Sequence, residues 1–416
     1  MFRTRSRITL ALSTFVLLTT ACQPGTPAPA TVRDSAGIEI VESSAPLLGP
    51  DAWTVSVEPV LQIGEVEGEE EYLLSGVPFD SKTGYGGTFR MPDGRIVITD
   101  KVERTARIFD AQGKYLSRFG REGEGPGEFS TQLRFCFWDG EHIAVVQSRR
   151  ISIFDTEGRF LERFDPETRA EVYGFFPDRA VLIHRAVRDP RMAGSGMPGG
   201  EFPEGVNDGV GTVSIVNVDG SPSEWTDTIV DSRWVLSKEG DYPISTAQPF
   251  APRLVLRPVG GEFVYGWGDE YDLRVFGRDG DLKRIIRQIG DLTPVTAEDE
   301  EWFTDALFEA MGGGVDARNM GAGLVFPDQK AAFDRFLFDR MGYYWVGIPA
   351  PVSELAGVLS PSPYWDVFDP SGRWVTTMKL PSDVQVHEIG EDYILGVWKD
   401  EFGVEFVRMY SLDRGG

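Results

Sequence analysis

Three histidines, two cysteines and a large excess of carboxylates bound the chemistry open to this chain of 416 residues. Asp and Glu number 65 against 41 Lys and Arg, a formal net charge of −24. Such a field repels polyanions, which argues against binding to a phosphate backbone. His142, His184 and His387 are the only imidazoles. A zinc centre needs several ligands converging on one point, and these three hold non-equivalent places in the strand pattern described below. No Gly-x-Ser-x-Gly elbow or phosphate-binding glycine loop is present, and Ser195, between Gly194 and Gly196, has no strand-to-helix context. No Asp-rich loop of the Ca²⁺-binding type occurs either. The carboxylates leave Ca²⁺ open, but no cofactor is indicated. The run Glu65, Glu67, Glu69, Glu70 and Glu71 reads as solvated charge, with a docking patch for a basic partner or a cation as the alternative. Cys136 lies between Phe135 and Phe137, the setting of a buried small hydrophobe.

Cys22 has different chemistry. Arg3, Arg5 and Arg7 precede a mostly apolar run from Ile8 to Ala21. The run is too short to span a bilayer as a helix, which takes about 20 residues, so residues 1–22 read as a secretory signal. Leu18-Thr19-Thr20-Ala21-Cys22 resembles a bacterial lipobox, with Thr19 where an aliphatic residue is usual. The resemblance implies lipidation at Cys22 and a chain anchored in the bacterial cell envelope. Gln23 at the next position leans toward the outer membrane. Residues 23–34, rich in Pro, Ala and Thr, suit an extended tether.

The rest must fold from short strands. Glycine supplies 48 residues, about 12% against a typical ~7%, as many tight turns would require. The motif Phe-Asp-x-x-Gly, or its nearest equivalent, ends at Gly113, Gly158, Gly220, Gly280, Gly372 and Gly415. The shorter steps, about 45 residues, match one propeller blade, and the longer ones imply insertions. Apolar alternation places six groups of strands, over 87–120, 132–164, 172–230, 253–289, 335–380 and 384–412. The sixth is one strand short. Trp53–Gly64 looks like the fourth strand of the first group and is expected to complete the last, closing a ring without a long free edge. Asp34–Glu42 is expected to add an outer strand.

Gly94-Arg95-Ile96-Val97-Ile98-Thr99-Asp100, followed by Arg107-Ile108-Phe109-Asp110 and Gly113, is similar to the NHL repeat. Gly123-Glu124-Gly125-Pro126-Gly127-Glu128-Phe129 resembles that repeat's inter-blade linker. The resemblance covers about residues 50–416 and implies an all-β, six-bladed β-propeller of the NHL/TolB-like type. One propeller is expected over residues 35–416, with a small helical insertion at about 290–334. Thr296 is the expected N-cap there, with Asp299 three residues on. Trp302, Phe303, Ala306, Leu307, Ala310 and Met311 make one apolar face, and Gly312 to Gly314 stop the helix. A second helical turn is expected near Pro327.

Strand phase assigns the loops to faces. One face carries tight turns. The other carries the segments 65–86, 121–131, 186–211, 231–252, 290–334 and 349–363. Loops of such length inside a compact domain are usually functional or disordered. At the channel mouth on this face the phase gathers Arg134, Gln147, Arg149, His184, Arg185, Arg253, Trp267, Trp398 and Lys399 as candidate ligand-binding residues. A local cationic pocket would favour a small anionic ligand such as a carboxylate, a sugar acid or a peptide C-terminus. The alternative is that these side chains pair with nearby Asp and Glu. Asp100 and Asp110 are expected to bond turns. The expected function is a monomeric, lipid-anchored envelope propeller that binds a ligand or an envelope protein on its loop-rich face without catalysis. The alternative is a metal-assisted hydrolase, lactonase or lyase at the channel mouth.

Overall fold

The computed structural model describes residues 29–415 apart from 131–132, 148–149, 167–169, 188–203, 218, 240–241, 313–323, 356 and 358–360. Cys22, the signal segment and Arg149 lie outside the described residues.

Six antiparallel sheets surround one axis. Their first strands are Thr88–Arg90, Leu133–Trp138, Glu171–Phe175, Val255–Val259, Arg335–Phe338 and Val384–Ile389, and neighbouring first strands approach one another around the ring. The chain is thus a six-bladed β-propeller. Its apolar core is split into six clusters, one at each junction between blades.

The recurrent motif explains the tight-turn face. Asp110 Oδ1 accepts the backbone N–H groups of Gln112 and Lys114, at 2.9 and 2.8 Å. Asp155, Asp339 and Asp369 repeat the pattern. Gly113 and Gly158 close two of these turns at φ of 81° and 78°, a backbone region that disfavours any side chain.

Closure follows the sequence expectation. Leu61–Ile63 pairs with the last strand, Glu405–Asp413, in the register Ile63↔Val407 and Leu61↔Met409. Thr54–Val55 adds pairs to Leu412 and Asp413. Trp53 is buried against Trp345 and Tyr343. The Arg414 guanidinium lies 4.7 Å above the Trp53 ring and bonds Asp339 at 2.7 Å. The outer strand expected from Asp34–Glu42 forms on blade four: Ile38–Ser43 runs parallel to Leu282–Gln288, and Ala30–Ser35 covers it. The end of the expected tether is therefore strand. Leu47 and Leu48 then donate to Trp374 and Val375 on blade five. The N-terminal segment is a belt around the outer edges of blades four, five and six.

Two expectations need correction. Segment 231–252 is largely strand. Gly205–Val216 and Pro222–Glu239 form a long hairpin, and Tyr242–Ala247 adds a fifth strand to blade three. The second helical turn near Pro327 does not form. Pro294 and Gln329 make an antiparallel bridge, so that stretch is extended. The helix itself spans Ala297–Ala310 with both halves of a capping box, Thr296 accepting from Asp299 N–H and Asp299 accepting from Thr296 N–H. Lys330 Nζ meets Asp299 Oδ1 at 2.6 Å. Burial pushes the Asp299 carboxyl up, but the bonds from Lys330 and Thr296 outweigh it and hold the group low.

Candidate functional site

Segment 65–86 does more than loop. Phe79–Asp80 and Tyr85–Gly86 form a short hairpin that enters the channel from the loop-rich face. It touches the first strands of five blades. The Phe79 ring stacks on His387 of blade six, with centroids 5.3 Å apart. Tyr85 stacks on Phe135 of blade two at 4.9 Å. Arg257 of blade four sits 3.7 Å above the Tyr85 ring, and its guanidinium donates to the carbonyls of Thr83 and of Phe336 on blade five. On blade three Gly174 leaves room for Tyr85, since a Cβ there would lie 2.9 Å from the hydroxyl. Beside the plug, a cavity of about 40 Å³ lies against blades four, five and six.

The tip of the plug brings its own charges to the mouth. Arg134 Nε donates to Asp80 Oδ2 at 2.6 Å, and Lys82 Nζ meets Glu171 Oε1 at 2.7 Å. Glu171 pairs across the sheet with His184, whose Nε2 lies 3.0 Å from Asp231 Oδ2. Burial pushes the Asp231 carboxyl up, but His184 and the Ser232 hydroxyl outweigh it, leaving the group below the ordinary range. Tyr173 packs its edge against His184, and burial raises its phenol well above the ordinary range.

The other mouth candidates also meet neighbours. Gln147 is buried and ties down the preceding linker, accepting from Ser130 N–H and donating to the Glu128 carbonyl. Lys399 Nζ meets Glu405 Oε1 at 2.9 Å, and Glu405 Oε2 accepts from Val77 N–H at the base of the plug. Trp398 donates to Asp383 at 2.7 Å beneath the Arg408 guanidinium. Trp267 is buried under Arg233, which bonds Asp208 and Asp269. Arg185 is half-buried beside His184, and Arg253 is exposed ahead of blade four. Arg134, His184 and Lys399 thus face carboxylates, the alternative raised from the sequence, and a chain segment occupies the space between them.

His387 and Cys136 are insulated. Burial pushes the His387 imidazole down to about 3 and the Cys136 thiol up to about 12. His142 lies on the tight-turn face, where Arg179 reaches its Nδ1 at 2.7 Å. Among the described residues no group of three or more His, Cys, Asp or Glu is arranged to hold a metal ion.

Sequence reasoning missed a second opening. A cavity of about 270 Å³ lies between blades four and five on the loop-rich side, bounded by Tyr271, Leu292, Ile348, Trp374 and the buried residue Asp366. Its signal in the sequence is a motif position. Two residues before the third-strand Phe of blades one, two, four and five stand Arg107, Ser152, Arg274 and Asp366, so blade five alone of these places an acid there.

A family model described as a six-bladed beta-propeller matches residues 80–169. No curated protein matches the chain. Among solved structures, a Bacteroides fragilis chain described as an exported protein is similar at 11% identity and a TM-score of 0.46, over 89% of this chain and 98% of that one. A member of the duf4221 family from Bacteroides vulgatus is similar at 8% identity and 0.48, over 87% and 98%. The calcium-binding protein regucalcin from Agrobacterium tumefaciens is similar at 11% and 0.35, over 83% and 93%.

Proposed function

We propose that this chain is an exported propeller, anchored through a lipid on Cys22, that recognises a ligand or an envelope protein on its loop-rich face without catalysis. The observation that carries this reading is the plug. In the lactonase, hydrolase or lyase alternative, chemistry would sit at the channel mouth, and here the Phe79–Gly86 hairpin fills that mouth. Recognition moves outward, to the long blade-three hairpin and the rim helix. Exposed apolar side chains stand on this face at Val102, Val206, Val210, Trp234 and Phe402. Ser44 N–H donates to the Pro29 carbonyl and Ile289 N–H to the Ser43 carbonyl, so the tether leaves at the loop-rich rim of blade four. Seven residues from there to Cys22 reach at most about 24 Å.

The test is photo-crosslinking in whole cells. A crosslinker at position 234 or 402 is expected to capture a defined partner, and one at 112 or 157, on the tight-turn face, to capture none. Equal capture from both faces would sink the reading. Cys22→Ala is expected to move the protein from the membrane to the soluble fraction of an envelope preparation.

A further inference from the structure

Six acidic residues are buried as whole residues among the described ones, Asp100, Asp272, Asp299, Asp339, Asp366 and Glu405, while the buried side chains of Asp139 and Asp231 face Arg179 and His184. Five of the six face a cation. Asp100 has Arg107, Asp272 has Arg274 and Arg287, Asp299 has Lys330, Asp339 has Arg414 and Glu405 has Lys399. Asp366 is the exception. It is 1% exposed, and its oxygens accept hydrogen bonds from the Tyr271 hydroxyl at 2.8 Å and the Thr377 hydroxyl at 2.5 Å. No Lys or Arg among the described residues bonds it or lowers its pKa.

That imbalance has a cost. A buried charge is unfavourable unless a counter-charge compensates it. The two hydroxyls and the Trp374 side chain supply dipoles and no charge. Burial accordingly pushes the Asp366 carboxyl up to about 6, which leaves it largely ionised at neutral pH. Asp366 is also among the residues that bound the 270 Å³ cavity. The second acidic residue there is Asp291, exposed at the rim, and no Lys or Arg contributes to the lining. The apolar wall comes from Tyr271, Leu292, Ile348 and Trp374. An apolar cavity of about 150 Å³ holds a benzene ring, so this one has room for a ring and a short polar arm. Aromatic walls add attraction for a cation through their faces.

We propose that the pocket between blades four and five binds a small organic cation, a primary arylalkyl amine, with its ammonium on Asp366 and its ring against Tyr271 and Trp374. The ammonium supplies the counter-charge that the other five of those six receive from the chain itself. Asp291 draws the cation toward the opening. The proposal rests on the reading of the loop-rich face as a recognition surface, and it names one ligand class for that face.

Calorimetric titration of the purified chain tests it with three probes of one shape: phenethylamine, 2-phenylethanol and 3-phenylpropionate. Phenethylamine is expected to bind saturably, at least about tenfold more tightly than the alcohol, with no binding of the carboxylate. Asp366→Asn should weaken the amine about tenfold and leave the alcohol unchanged. Ile348→Trp keeps the carboxyl but fills the opening, and should abolish binding of both. Thermal melts report whether each variant is folded. Three results would overturn the proposal: alcohol or carboxylate binding as tight as the amine, full amine affinity in a folded Asp366→Asn protein, or no saturable amine binding in the millimolar range. Crosslinking to the outer rim does not depend on this pocket. Amine binding without a crosslinked partner would therefore remove only the protein-partner arm of the wider reading, and a crosslinked partner without amine binding would break only this proposal.

Discussion

The channel mouth and the pocket between blades four and five both lie on the loop-rich side of the ring, yet their electrostatics differ. At the mouth the carboxylates meet basic side chains. Asp80 meets Arg134, Glu405 meets Lys399, and Asp231 meets His184. In the pocket Asp366 meets the Tyr271 and Thr377 hydroxyls and the Trp374 side chain, all of them neutral. The difference follows from chain path. The strand that closes blade six must lead into blade one, and its linker has to pass the mouth. That linker supplies Phe79, Asp80, Lys82 and Tyr85, and with them the mouth is filled by the chain itself. The linker between blades four and five runs along the pocket wall at Asp291, Leu292, Thr293, Ala331 and Ala332 but brings no Lys or Arg to the lining, so the carboxylate there is left without a counter-charge. A polar mouth in a propeller is thus weak evidence for a ligand, whereas an uncompensated buried charge beside empty space is stronger.

Arg134→Ala strikes the mouth hardest. It removes the bond to Asp80 Oδ2 and leaves a carboxylate whose side chain is 11% exposed without its counter-charge. Breaking such a pair costs about 3 kcal/mol, readable as a lower urea midpoint at an unchanged slope. A loss well below 1 kcal/mol would mean that stacking of Phe79 and Tyr85 holds the plug, and that the charge contrast between the two regions is incidental.

The sequence reveals the mouth's frame better than its contents. Period-two strands and the Asp-bonded turns repeat, so the six blades, the closing strand at Leu61–Ile63 and the capped helix at Thr296 are all readable. The plug consists of two strands of two residues each, too short to show any period. Its signal is aromatic: Phe79 and Tyr85 sit in a segment that otherwise reads as loop. The blade-three hairpin is hidden by its glycines. Gly209 and Gly211 read as loop, but a Cβ at Gly211 would lie 2.0 Å from His184 Nε2, and one at Gly209 would lie 2.2 Å from the Ser232 hydroxyl. These glycines permit close approach inside a sheet. Asp366 is legible as a departure from the Arg or Ser at its motif position, but only after the blades are aligned.

Asp366→Asn should act with the opposite sign to Arg134→Ala. The folded protein holds the Asp366 proton more tightly than the unfolded chain does. Below about pH 4 both states are protonated and the carboxyl carries no penalty. The penalty grows as pH rises to about 6 and is complete above it. A folded value of about 6 against an ordinary 3.8 corresponds to about 3 kcal/mol at neutral pH. The Asn side chain can keep one hydroxyl bond while shedding the charge. The variant should therefore gain about 2 kcal/mol on the wild type between pH 4 and pH 7.5, measured by urea unfolding across that range. A flat difference would show that Asp366 is already compensated in the free protein, and the contrast with the mouth would collapse.

Lys82→Ala should do least, and that small effect sharpens the comparison. Lys82 carries charge into the same mouth as Arg134, but its side chain is 61% exposed and that of its partner Glu171 is 38% exposed. Water already solvates both ends, so losing the pair costs about 0–1 kcal/mol and less at high salt. Arg134→Ala should keep most of its effect in 0.5 M salt, because little solvent reaches its pair. If Lys82→Ala proves as costly and as salt-resistant as Arg134→Ala, the plug tip is drier than its exposure implies. The mouth would then be a sealed, charge-locked lid rather than a filled and solvated one.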